Sequence, residues 1–193
     1  DIPIRATFLG AHAIPEKYKQ NREGYIDLII NEMIPAIADE KLAEYCDVFC
    51  EEGYFSEEET VKILSVAKHY GMQPKVHANQ LSFSGGVQAG VRVDAVSVDH
   101  LEYVGENEIQ ALQSSNTVPT ILPGAQYFLK LPEPPARTMI DAGLALAIAS
   151  DYNPGSCPNG NMNWMISHAC VNYKLTPEEA INAATVNSAC LLY

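Results

Sequence analysis

The sequence predicts an α/β fold: a partial TIM (β/α)8 barrel with about six parallel strands and intervening helices. Two observations predict this fold class. Six short segments rich in β-branched and apolar residues recur along the chain, and each is followed by a stretch with helix signals. The predicted strands are Ile4–Leu9, Asp47–Cys50, Pro74–His77, Ala95–Asp99, Thr117–Leu122 and Leu144–Ala149.

The stretches between these strands are long enough for a helix and too long for a hairpin, which predicts parallel pairing through right-handed crossovers. The positions of residues at the predicted strand ends distinguish a barrel from a doubly wound open sheet. His12, His77, His100, Pro123–Gly124 and Asp151 each follow a different predicted strand. A barrel brings all strand ends to one mouth, whereas an open sheet gathers ligand groups at one switch point. The pattern therefore favours the barrel.

Local signals support the predicted helices. Ser56 and Glu59 have the spacing of a capping box, and Gly71 suits a left-handed helix end. Pro35 interrupts an otherwise helical run over residues 25–45 and is expected to kink or divide it.

Residues 1–193 are expected to form a single domain, because no linker or internal repeat beyond the βα period divides the chain. A complete barrel has eight strands and typically about 250 residues. We therefore expect an incomplete barrel that lacks its first strands, cut from a longer protein. Unpaired strand edges invite association, so a homodimer or flanking chain is expected to cover them.

Composition excludes several classes of partner. A formal net charge of −12 disfavours phosphate backbones and anionic membranes as partners, but it says nothing about a small anionic substrate, because a pocket can be locally positive on an acidic protein. No apolar run is long enough for a membrane helix and no signal peptide is evident, so a cytoplasmic enzyme is expected. The five cysteines are odd in number and lack CxxC spacing, which argues against a disulfide framework or a cysteine zinc site.

The strand-end residues can carry metal chemistry. Imidazole nitrogen and carboxylate oxygen are suitable ligands for zinc or ferrous iron, so His77 and Asp151 are candidate ligands. A lone histidine at a strand end is more often structural, but here His100 lies on the strand between them. It could donate to a developing oxyanion or hold a carboxylate in place. The alternative is that His100 is tied to Asp99 or Glu102.

The loop after Asp151 is a candidate binding loop. Asn153 offers an amide for bidentate recognition, and Gly155 belongs to a tight turn that exposes backbone amides. The alternative is an ordinary turn between strand and helix. Glu51 and Glu52 follow another strand and could form a pair of carboxylates, but the sequence does not say which of them faces the mouth.

Five motifs together resemble the imidazolonepropionase family of metal-dependent amidohydrolases, in the same order and over essentially the whole chain. They are TFLGAHAIP at 7–15, VHANQLSFSGG at 76–86, VSVDHLEY at 96–103, ILPGA at 121–125 and ASDYNPGS at 149–156. The resemblance implies a hydrolase of histidine degradation that opens 4-imidazolone-5-propanoate to N-formimidoyl-L-glutamate with water activated by one zinc or iron ion.

The resemblance also implies roles for individual residues. His77 and Asp151 resemble metal ligands, and Asp151 and His100 are the expected catalytic residues, as proton acceptor and oxyanion stabiliser. The positions that resemble substrate-contacting residues are His12, Gln80, Asn153, Gly155 and Ser156. The Gln80 amide cannot take a proton, so it is expected to orient the ring.

The chain departs from the family pattern in one large respect. It lacks the His-x-His metal pair and the upstream Arg and Tyr that the family uses, and no two of its histidines are two residues apart. By itself it is therefore expected to bind metal weakly and to be inactive. The open alternatives are another cyclic amidohydrolase or a deaminase, and a noncatalytic barrel scaffold.

Overall fold

A computed structural model describes residues 4–192 and contains all six predicted strands, with their ends shifted by a few residues. They are β1 Thr7–Ala11, β2 Tyr45–Cys50, β3 Gln73–Ala78, β4 Ser97–His100, β5 Val118–Ile121 and β6 Ala147–Ile148. All neighbouring pairs are parallel and follow the order of the chain, which makes β1 and β6 the edges of the described sheet. A sequential order has no switch point, as expected for a section of a barrel.

Helices follow the strands on the outside of the sheet. They are α1 Arg22–Leu28, α2 Ile34–Asp39, α3 Glu57–His69, α4 Gly86–Arg92, α5 Glu106–Gln113, α6 Pro123–Leu129, α7 Ala136–Asp141, α8 Met162–Asn172 and α9 Pro177–Asn182. A short 3-10 helix spans Glu16–Tyr18, and π-helical turns span Ile29–Met33 and Ala183–Asn187.

The predicted helix signals are confirmed where they can be checked. Ser56 Oγ accepts a hydrogen bond from Glu59 N, and the Glu59 carboxylate accepts one from Ser56 N. Gly71, just beyond α3, has a φ of 85°. Pro35 lies in the first turn of α2, directly after the π-helical turn that divides the predicted run.

The two faces of the sheet have different characters. Val76 and Val98 are fully buried, and both point toward Gly90 of α4, whose hydrogen-only side chain allows the helix to lie directly on the strands. Because side chains alternate along a strand, His77 and Asp99 lie on the opposite face, inside the curve of the sheet. The inner face therefore contains titratable side chains, whereas the outer face is apolar.

No helix within residues 4–192 is long and apolar enough to span a membrane.

Candidate active site

A cavity of about 490 Å³ lies at the carboxyl ends of the strands. It is lined by Leu9, His12, Phe49, Tyr54, His77, Gln80, Leu81, His100, Leu129, Asp151, Asn153 and Ser156. All of the site residues predicted from the sequence are thus brought together except Gly155. A larger cavity of about 660 Å³ at the opposite end of the strands, around Tyr45 and Gln73, contains none of them.

His77 lies near the end of β3 and is held by a buried carboxylate. Its Nδ1 is 3.0 Å from Asp47 Oδ1, and its backbone N donates to the same oxygen at 3.2 Å. Burial lowers the pKa of His77, but the charge and hydrogen bond of Asp47, with the charges of Asp99 and Asp151, outweigh burial and raise that pKa to about 9. Its Nε2 has no hydrogen-bond partner among residues 4–192.

His100 reaches the cavity through an unusual backbone. By alternation it would face the helix layer, since its neighbour Asp99 is paired opposite His77. His100 and Leu101 both have positive φ, 87° and 69°, and the His100 ring centroid lies 5.2 Å from that of His77. The left-handed turn at the strand end therefore brings the ring to the mouth.

The alternative in which His100 is tied to an acidic neighbour is wrong. His100 Nδ1 is buried without a hydrogen-bond partner among the described residues, and so are both carboxylate oxygens of Glu102. Burial, with a contribution from His77, lowers the pKa of His100 to about 3. Burial raises the pKa of Glu102 to about 8. His100 is therefore a neutral imidazole, able to donate one hydrogen bond and accept another.

His12 follows β1 and completes a row of three histidines across the mouth. Its ring centroid lies 5.3 Å from that of His77 and 5.2 Å from that of Phe49. Burial and the neighbouring His77 lower the pKa of His12. A second neutral imidazole at the cavity wall can contact an uncharged heterocycle by stacking or hydrogen bonding.

The loop after β6 presents Asp151. Burial raises the pKa of Asp151, and its Oδ2 accepts a hydrogen bond from Ser156 Oγ at 3.1 Å. The Asn153 amide is engaged within this loop: its Nδ2 donates to the Asp151 carbonyl and to Ser156 Oγ, and its Oδ1 accepts from the backbone amides of Gly155 and Ser156. These bonds shape the loop, while bidentate recognition of a ligand by the Asn153 amide stays a prediction.

The structure shows where the two carboxylates after β2, Glu51 and Glu52, lie relative to the mouth. Glu51 is buried, whereas Glu52 is exposed, but neither lines the cavity that contains His77. The Glu51 carboxylate accepts hydrogen bonds from Leu81 N at 2.8 Å and from Ser82 Oγ. These contacts fix the loop that carries the buried Gln80, so Glu51 acts as a structural anchor beside the site.

Sequence reasoning missed the polar residues of the inner face below His77. Lys75 Nζ lies 3.3 Å from Asp99 Oδ2, and Asp47 contacts His77. We predicted these strands from their β-branched and apolar residues and gave Asp47 and Lys75 no role. The alternation in YCDVFC and QPKVHA, which places Asp47, Lys75 and His77 on one face, was the signal that could have found them.

The donor set at the mouth is incomplete for a metal centre. Among residues 4–192 there is no group of three or more histidine, cysteine, aspartate or glutamate side chains placed to hold an ion. His77 and Asp151 offer one free imidazole nitrogen and a carboxylate, which suit zinc or iron as two ligands of a site with about four.

Comparison with curated proteins confirms the resemblance predicted from the motifs. The chain is 57% identical to an imidazolonepropionase of Flavobacterium johnsoniae over 188 residues, 97% of this chain and 46% of that protein. It is 48% identical to one of Thermoanaerobacter pseudethanolicus, with 99% of this chain and 46% of that protein covered. The chain thus spans a little under half the length of these relatives. No protein-family model matches it.

Solved structures confirm the fold. A guanine deaminase from C. acetobutylicum matches with a TM-score of 0.74 and 14% identity, covering 96% of this chain and 51% of that one. A triazine hydrolase variant matches with a TM-score of 0.75 and 15% identity, covering 98% and 49%. An adenosine deaminase from Xanthomonas campestris, solved with bound zinc, matches with a TM-score of 0.69 and 18% identity, covering 95% and 47%. The six parallel strands and their helices thus form part of a TIM-barrel-like α/β fold.

Proposed function

We propose that this chain is the part of an imidazolonepropionase barrel that supplies one wall of the active site. The reaction adds water to the ring carbonyl carbon of 4-imidazolone-5-propanoate and breaks a ring carbon–nitrogen bond, giving N-formimidoyl-L-glutamate in histidine degradation. The observation that carries the proposal is the single cavity shared by His12, His77, His100 and Asp151. Identity of about half the residues with imidazolonepropionases over nearly the whole chain supports it.

The cofactor we propose is one zinc or iron ion held by His77 Nε2 and the Asp151 carboxylate. These two donors fit such an ion, because Nε2 is free of any described partner while Nδ1 is already bonded to Asp47. When bound, the ion would act as a Lewis acid that lowers the pKa of water toward neutrality. The remaining ligands would come from the His-x-His pair of the family, on chain outside these 193 residues.

The cavity residues of this chain would have different roles in the reaction. Asp151 would take a proton from the attacking water and return it to the departing ring nitrogen, a role suited to a carboxyl whose pKa burial raises. The neutral His100 would donate a hydrogen bond to the carbonyl oxygen as charge develops there. His12 and Gln80 would orient the ring. The loop of Asn153, Gly155 and Ser156 would bind the substrate and also hold Asp151 in place.

The proposed substrate is a small metabolite, so we propose that the protein works in the cytoplasm.

The edges β1 and β6 have no strand partner on their outer sides among the described residues. We propose that further strands of the complete protein, or a second copy in a homodimer, cover these edges.

Loss of imidazolonepropanoate absorbance tests the function directly. The complete gene product, purified with its metal, should consume the substrate and contain close to one zinc or iron ion per chain. The chain of 193 residues alone should be inactive. A metal-free product that leaves the substrate unchanged would overturn the proposal in favour of a noncatalytic scaffold.

A deaminase is the second candidate function, because two of the structural neighbours are named guanine and adenosine deaminases. The two reactions differ in their products. A deaminase releases ammonia, whereas ring opening of imidazolonepropanoate retains all nitrogen in formimidoylglutamate. Ammonia release from a purine or other amino-heterocycle, without consumption of imidazolonepropanoate, would decide for the deaminase.

A further inference from the structure

Asp47 is a buried carboxylate in the middle of β2 whose side chain is only 5% exposed. An isolated carboxylate in such a place is strongly unfavourable unless it is paired and hydrogen-bonded. Its Oδ1 faces two donors of one residue, the ring Nδ1 and the backbone N of His77. Two contacts to the same residue restrain both the strand and the imidazole ring.

The neighbouring charged residues are paired with each other, so His77 is the hydrogen-bond partner of Asp47. Asp99, the other buried carboxylate of the inner face, has Lys75 Nζ at 3.3 Å. Neither Lys75 nor Asp99 is in hydrogen-bond contact with the His77 ring. The inner face thus contains two separate contacts on adjacent strands, Asp47 with His77 and Asp99 with Lys75.

The contact at Nδ1 decides what the other ring nitrogen can do. A carboxylate accepts only, so it favours the form of His77 that carries its proton on Nδ1. In the neutral ring the lone pair is then on Nε2. This arrangement orients the ring and makes the nitrogen more basic, as carboxylates behind histidine ligands do.

We propose that Asp47 is a positioning residue that holds the His77 ring so that Nε2 is directed at the cavity and available to an ion shared with Asp151. The inference rests on the proposed function, since it assumes that His77 is a metal ligand. It adds a residue that none of the sequence motifs contains and that does not line the cavity.

The test uses zinc titration of the complete gene product, first stripped with a chelator. Asp47→Asn should weaken zinc affinity by about 10–100-fold, because the asparagine NH2 can donate to Nδ1 and favour the wrong tautomer. Asp99→Asn is the matched control, because Asp99 is a buried carboxylate opposite His77 on β4 that is paired with Lys75, and this change should leave the affinity near that of the wild type. Asp141→Asn, on the surface at Arg137, should have no effect.

A spectroscopic readout separates positioning from mere structural support. In the zinc-loaded wild type, the Nδ1 proton of His77 should give a downfield, slowly exchanging NMR signal that correlates with a zinc-bound Nε2. Asp47→Asn should remove or shift this signal while the circular dichroism spectrum stays unchanged. If Asp47→Asn does not fold, the wild-type signal still tests the inference, and zinc bound through Nδ1 would overturn it.

The outcomes distinguish the two proposals. If His77→Ala binds zinc as tightly as the wild type, the proposed metal site fails. If His77→Ala loses zinc but Asp47→Asn does not, only the role of Asp47 fails. Equal losses in Asp47→Asn and Asp99→Asn would show a general effect of buried charge and would also overturn positioning.

Discussion

The two faces of the sheet contrast sharply although they are formed by the same strands. The outer face packs apolar side chains such as Val76 and Val98 under the helices, with no exposed surface. The inner face places His77 and Asp99 in the same strands, at the cost of desolvating charge. The difference teaches that apolar burial stabilises the outer face, whereas the inner face offsets the cost of its buried charges by pairing Asp47 with His77 and Asp99 with Lys75.

The largest expected effect is a loss of turnover on substitution of Asp151, at the mouth of the inner face. In the complete enzyme, Asp151→Asn should lower turnover by about 10²–10⁴-fold, because the amide cannot accept or return a proton. Stability should not fall, since burial raises the pKa of Asp151 and so disfavours its charged form in the folded state. Steady-state kinetics and urea unfolding on the same preparations measure both effects, and full turnover in the variant would exclude Asp151 as the base.

A pH effect on stability should follow from the paired charges of the inner face. In chelator, the pKa of His77 rises from 6.5 to about 9 on folding. A raised pKa stabilises the fold fully below pH 6.5 and progressively less as the pH rises through 9, by a contribution on the order of 3 kcal/mol. Urea midpoints between pH 6 and 10 measure this fall.

The same titration in Asp47→Asn should be much flatter, because the largest contribution that raises the His77 pKa is then missing. The effects of His12 and His100 appear on the acidic side of pH 6.5, because their pKa values are lowered. The pKa of Glu102, raised to about 8, affects variant and wild type alike, so the difference between the two titrations reports on His77. An equal slope in variant and wild type would show that the pair does not stabilise the fold.

A substitution on the outer face should lower stability and leave zinc affinity unchanged. A Cβ at Gly90 would lie 2.4 Å from Val98 Cγ1, so Gly90→Val should push α4 off the strands and cost about 1–3 kcal/mol. The zinc affinity of the complete protein should be unchanged once the protein is folded. A variant as stable as the wild type would show that the close helix packing is not required.

The smallest expected effect lies at the exposed start of α3. Ser56→Ala removes the acceptor for Glu59 N at the start of α3 and should cost about 1 kcal/mol. Turnover and metal affinity should remain at wild-type values, which thermal unfolding and kinetics can check together. A loss of activity beyond the loss of folded protein would contradict a purely structural role for this cap.

Much of this organisation was predictable from local sequence. Strand positions follow from β-branched runs, and the start of α3 from Ser56 and Glu59, because both signals depend only on near neighbours. The grouping of His77, His100 and Asp151 follows from barrel topology. The strained turn at His100 and the internal use of the Asn153 amide could not be predicted, since they arise from backbone geometry that three-dimensional packing imposes. Asp47 was missed because its strand was identified by its apolar residues alone.

The most direct measurement is the crystal structure of the complete gene product with zinc, located by its anomalous scattering. The proposed site predicts His77 Nε2 and an Asp151 carboxylate oxygen each at about 2.0–2.2 Å from the ion, with Nδ1 of His77 still bonded to Asp47. An ion bound elsewhere, or with His77 and Asp151 too far apart to share it, would contradict the hydrolase proposal.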